Sequence, residues 1–226
     1  MSSWKGQSKG SPLGYRIFIW VLQNLGLSTG YFLSRIVAAY YFLTASASKA
    51  VLHDFYKQIG ISSAAKRRKM IYQNFCKMGE VLIDKIALSK GIKNKLGFTQ
   101  EGEENIGKLL EQGRGVFLVG GHLGSWDIAA HFLEVGAKVN VVMYQNEKEQ
   151  IEEAIGDKKN AFNIIPLTED IGFIIAINQA VKRNEIICFN VDRTMTDANN
   201  DTADFLGREA TFPTGVYKLA LKLKSP

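Results

Sequence analysis

Apolar positions fall into two textures along the 226-residue chain. Over residues 15–48 aromatic and aliphatic side chains dominate, broken by Arg16 and Arg35. Residues 17–22 are apolar enough for a bilayer, but Gln23, Asn24, Gly26, Ser28 and Gly30 interrupt the run, so no clean span of about twenty residues forms. A second run, residues 36–44, carries Tyr40 and Tyr41, residue types that favour the headgroup level. The pattern predicts a hydrophobic helical hairpin over residues 1–50 that dips into or lies along a membrane. The alternative is an amphipathic hairpin packed on the core. The region is too long and too interrupted for a secretory signal.

The rest of the chain reads differently. Residues 62–89 form a helix that Ser62 or Ser63 caps, with Ile71, Phe75, Met78, Leu82 and Ile86 at helical spacing. Short apolar strands then follow at 116–119, 139–144, 162–165 and 185–191, with helices at 125–135, 171–183 and 213–224. Alternation of this kind predicts an α/β fold with a central mixed, largely parallel sheet flanked by helices. The organisation expected is a membrane-associated hairpin at 1–50 and an α/β domain at 51–226. The final helix runs into Ser225-Pro226, where a further strand is due, so the domain is expected to be incomplete at its C-terminus.

Composition changes little in this picture. The two cysteines, Cys76 and Cys188, lie far apart without metal-ligand spacing, which fits a reducing compartment and inert core thiols. The net charge of +6 suits an anionic membrane face or an acidic protein partner, and no nucleic-acid-binding motif accompanies it. Lys66-Arg67-Arg68-Lys69, just after the hairpin, is the densest basic run and could meet either surface. Asp197-Ala198-Asn199-Asn200-Asp201 superficially matches a calcium loop. Thr202 replaces the turn glycine and Arg208 stands where the closing glutamate belongs, so no metal is expected.

The chemistry concentrates in Gly120-Gly121-His122-Leu123-Gly124-Ser125-Trp126-Asp127, between a strand and a helix, where open α/β sheets place their ligands. On a continuous helix His122 and Asp127 would point about 140° apart. They converge only if His122 sits on a turn, which Gly121 and Gly124 permit. Asp127 in the first helical turn is favoured as the anion, so it can orient the imidazole and leave the other nitrogen to act as a base. No protein nucleophile accompanies this base, because Ser125 is not in a G-x-S-x-G elbow. Direct attack by an acceptor's own hydroxyl or amine follows. An Asp127–His131 pair competes for the same carboxylate.

This segment resembles the H-x4-D/E motif of the lipid A biosynthesis (lauroyl/myristoyl-type) acyltransferase family, within the lysophospholipid acyltransferase group. Trp4-Lys5-Gly6 with Leu13-Gly14-Tyr15, Asn190-Val191-Asp192-Arg193, Phe205-Leu206-Gly207 and Thr211-Phe212-Pro213-Thr214-Gly215 are similar to other motifs of that family, over nearly the whole chain. The resemblance implies a glycerolipid-acyltransferase-like fold and transfer of a fatty acyl chain to a membrane lipid at the cytoplasmic face of the bacterial inner membrane. Acyl carrier protein or acyl-CoA would supply the thioester as co-substrate, with no bound cofactor. His122 and Asp127 would be catalytic, and Gly121, Gly124, Asp192 and Arg193 would bind substrate. Arg193 would hold a phosphate or steady the oxyanion. Lys66, Arg67, Arg68 and Lys69 would face the carrier or the membrane. An arginine-proline pair common after the family's second strand is replaced here by Tyr144-Gln145-Asn146, which opens the acceptor to a related glycolipid, aminolipid or phospholipid. A hydrolase using the same pair with water, and a non-catalytic membrane-surface protein, are the competing readings.

Overall fold

The computed structural model describes residues 12–89, 91, 97, 99–125, 135–144, 162–168, 170–194 and 199–226. Two compact units emerge, Phe98–Ala203 with Glu209–Pro226, and Lys9–Gly97 with Asp204–Arg208. The division expected near residue 50 falls inside the second.

That second unit is helical, with α1 (Pro12–Asn24), α2 (Leu27–Thr44), α3 (Ser46–Gln58) and α4 (Ala64–Ser89). Ser63 caps α4, its hydroxyl oxygen accepting the Lys66 backbone N–H at 3.3 Å. α2 lies chiefly along α4 and less along α1, so the two amino-terminal helices belong to a larger bundle rather than standing as a separate hairpin. Close approach is possible because the inward stripe of α2 is made of small residues, Gly30, Ser34 and Ala38. Opposite them, a Cβ at Gly79 would meet the Ser34 Cβ at 3.2 Å. Leu22, Ile83 and Ile86 close the core, and the Tyr31 hydroxyl donates to Asp84 Oδ1 at 2.5 Å. The large residues of α2 go outward: Phe32, Ile36, Tyr40 and Leu43 are 54–72% exposed. Among the described residues no helix is long and apolar enough to cross a membrane.

The first unit is built on β1 (Val116–Gly120), β2 (Val139–Tyr144), β3 (Asn163–Leu167) and β4 (Ile186–Asn190). They form one sheet in the order β1-β4-β2-β3, and every described pair is parallel, so the expected mixed sheet is narrower in kind. Successive side chains alternate between faces. Val116, Val141, Met143 and Ile186 pack with Leu110 of α5 (Glu103–Leu110). Phe117, Val142, Ile165 and Ile187 pack with Ile177, Ala180 and Val181 of α6 (Gly172–Lys182), and Leu219 and Leu223 of α7 (Gly215–Leu223) join that layer. Both faces are therefore covered, which is why the strands read as continuous apolar runs.

Buried Asn140 locks the register at the strands' starting edge. It donates to Glu185 Oε2 (3.0 Å) and to the Ile186 carbonyl (3.2 Å), and accepts from Asn163 Nδ2 (2.9 Å). A further two-stranded sheet, β5 (Asn200–Phe205) and β6 (Arg208–Pro213), has no counterpart in the sequence reading, because β5 is almost wholly polar. Its two loop residues, Leu206 and Gly207, have φ of 56° and 74°, the mirror-image turn that matches strand twist. Asn200 and Asp201 of the rejected calcium loop are strand residues. At the chain's last residues, Phe117 N–H donates to the Pro226 carbonyl at 2.8 Å, beside β1.

Candidate active site

Parallel pairing of β1 with β4 sets the site. Gly120 stands opposite Asn190, and the Val191 N–H donates to the Gly120 carbonyl at 2.9 Å. Two residues further along each chain, His122 and Asp192 therefore meet at the carboxyl edge of the sheet. Asp192 grips His122 twice: Oδ1 lies 2.7 Å from the imidazole Nδ1, and Oδ2 accepts the His122 backbone N–H at 2.7 Å. Partial burial would raise the Asp192 carboxyl, but the His122 backbone and ring hydrogen bonds outweigh it and hold the group below its ordinary value. An ionised carboxylate only accepts, so Nδ1 carries the proton and Nε2 of the neutral ring keeps its lone pair.

The glycines serve the same turn. Gly121 passes close to Asp192, where an added Cβ would lie 3.5 Å from its carboxyl group. Gly124 has φ of 75°, the left-handed conformation that turns the chain after His122. Leu123, between them, is 96% exposed beside the base. Arg193 follows Asp192 on the exposed end of the same loop. Trp126, Asp127 and His131 lie outside the described residues, as does most of the helix expected at 125–135. The structure thus brings His122, Gly121, Gly124 and Asp192 together, with Asp192 in contact with the imidazole, while the Asp127 contact expected from the sequence lies outside the described residues. A signal for the Asp192 contact was present, since that residue follows the strand expected at 185–191 on the sheet edge expected for His122, but nothing local says that the two strands are neighbours. Burial pushes the Cys188 thiol up to about 12, which leaves it protonated and unreactive.

The basic run divides by helix geometry. Arg67 is buried: its Nη1 donates to the Ile61 and Ser62 carbonyls, both at 2.6 Å, and its Nε to His53 Nε2 at 3.1 Å. This guanidinium ties α3 to α4 and is not offered to a partner. Arg68 leans over the Phe42 ring, 5.9 Å from its centre. Lys66 and Lys69 remain exposed, about 60° apart on one face.

No curated protein matches the chain. The family model described as bacterial lipid A biosynthesis acyltransferase matches residues 13–226, which include the whole of the His122–Asp192 site. The chain belongs to that family and is an acyltransferase.

Proposed function

We propose that the protein moves a fatty acyl chain from a carrier thioester, on acyl carrier protein or CoA, to a hydroxyl or amine of a lipid A-type glycolipid at the cytoplasmic face of the inner membrane. The observation that carries this is His122 at the sheet's carboxyl edge, its backbone N–H and its ring Nδ1 both bound to Asp192, which leaves Nε2 as the proton-accepting atom. The acceptor hydroxyl attacks the thioester carbonyl while Nε2 takes its proton. Arg193 steadies the oxyanion, and collapse of the tetrahedral intermediate expels the carrier's sulfur, which recovers the proton from His122. Asp192 fixes the ring and stabilises it once protonated. The motif spacing makes Asp127 the alternative carboxylate for that orienting role. Exposed Leu123 offers the acyl chain an apolar contact beside the base.

Membrane association rests on α2, whose small residues face its neighbours and whose large apolar residues face outward, the arrangement of helices packed within lipid. Lys66 and Lys69 are the cations left for an acidic carrier. The test is transfer by the detergent-solubilised protein from acyl carrier protein and from acyl-CoA to a lipid A precursor. A folded His122→Ala protein that still transfers acyl groups overturns the mechanism. Release of free fatty acid at the same rate with and without acceptor makes the enzyme a hydrolase instead.

A further inference from the structure

A shallow, open groove of about 490 Å³ lies in the helical unit between the end of α2, α3 and the start of α4. Its floor is Phe42, Ala50 and Ile71, and none of its lining residues is acidic. Two cations converge there on one ring, Lys49 Nζ at 5.7 Å and the Arg68 guanidinium at 5.9 Å from the Phe42 centre. Neither has a carboxylate partner among the described residues. Lys49 is further held by donating to the Leu43 carbonyl at 3.1 Å. His53, also on the wall, accepts from the always-protonated Arg67 through Nε2, so its own proton sits on Nδ1 as a third donor.

Leu43 belongs both to this groove and to the outward stripe Phe32, Ile36, Tyr40 of α2. From residue 32 to residue 43 that stripe runs about 16 Å at 1.5 Å per residue. An apolar track of acyl-chain length that ends at two cations with no carboxylate partner among the described residues matches an amphiphile with one anionic head. A soluble protein partner would leave the track uncovered. We infer that this groove holds an anionic phospholipid of the bilayer, its phosphate between Lys49 and Arg68 and one acyl chain along α2. The inference rests on the reading of α2 as lipid-facing.

The probe is the full-length protein in mixed micelles of phosphatidylglycerol and phosphatidylcholine, with retained lipid counted by native mass spectrometry. Wild type should keep phosphatidylglycerol in preference. Lys49→Gln/Arg68→Gln should lose that preference by about thirtyfold, each cation supplying the roughly fivefold a basic residue gains near an anionic lipid. Lys66→Gln/Lys69→Gln should keep it. Equal retention of the two lipids by wild type, or equal loss in both double variants, overturns the groove. Arg68→Gln alone, with unchanged circular dichroism, repeats the test if the double variant misfolds. Flotation on pure phosphatidylcholine vesicles separately tests the lipid-facing stripe, so failure there is distinguishable from failure of the groove.

Discussion

In the α/β unit the bulkiest aliphatic side chains are the deepest: Ile177, Ile186 and Ile187 are fully enclosed, while the reacting polar groups stand at the sheet edge. On α2 of the helical unit the buried residues are Gly30, Ser34 and Ala38, while Phe32, Ile36, Tyr40 and Leu43 are exposed. The first pattern is what water imposes on a sheet with two covered faces. The second gains nothing from water and fits an apolar surrounding, in which helices associate through close backbone contact. The comparison sets a sheet whose aliphatic residues are enclosed against a helix that exposes Phe32, Ile36, Tyr40 and Leu43, on which the proposed lipid contact rests.

The sharpest division of labour should appear with His122→Ala. Transfer should fall at least roughly a hundredfold, the lower range of a general-base contribution, while sedimentation with membranes is unchanged. Loss of both together would show that the units are not separable in function.

Paired truncations test the burial contrast directly. Ile187→Ala should cost about 2–5 kcal/mol in chemical denaturation. Ile36→Ala should change folding stability by roughly 0.5 kcal/mol or less, yet reduce recovery on vesicles. Equal destabilisation by the two would remove the argument for a lipid-facing stripe.

Within the site, Asp192→Asn should lower kcat by roughly a hundredfold or more with little change in KM, because the ring loses the anion that keeps its proton on Nδ1 and its Nε2 lone pair available. Comparison with Asp127→Asn ranks the two carboxylates, and an Asp192→Asn enzyme at wild-type rate would return the orienting role to Asp127.

A smaller effect separates members of the basic run. Lys66→Glu/Lys69→Glu should raise the KM for acyl carrier protein a few-fold, more at low salt, since exposed charges are screened over about 8 Å at physiological ionic strength. Arg67→Glu should instead lower the melting temperature, because a buried, fully hydrogen-bonded cation is lost.

The mildest contrast is in acid. Arg183's guanidinium, bonded to Glu185 at 2.8 Å, holds that carboxyl below its usual range, against the burial that opposes it. Burial pushes Asp84 the other way, although the Tyr31 hydroxyl bond partly offsets it. A depressed carboxyl contributes stability that is lost as pH falls through its folded value, whereas a raised one adds stability as pH falls through its own. Hydrogen exchange should therefore show β4 loosening in mild acid while α4 tightens or holds. The same trend in both would contradict the assigned shifts.

Much of the fold was legible because its signals are local. The parallel strands announce themselves as short apolar runs, and α4 by its cap and its 3.6-residue period, since burial on both faces or on one stripe needs those patterns. α5 was too short for its period to show, and the β5–β6 hairpin is too polar for an apolar alternation to mark it. The charge run looked uniform because sequence lists neighbours, whereas a helix turns each by about 100° into a different environment.

By itself, the sequence determined that an α/β sheet exists, that His122 follows one of its strands on a glycine-bounded turn, and that the amino-terminal helices are rich in apolar residues. Only tertiary structure decided that β4 lies beside β1, so that Asp192, seventy residues away in sequence, closes on His122. It also decided that Arg67 is buried and that Arg68 and Lys49 share one ring. The physical reason is the same in each case. Strand order and helix facing are set by packing between segments, which no single segment encodes.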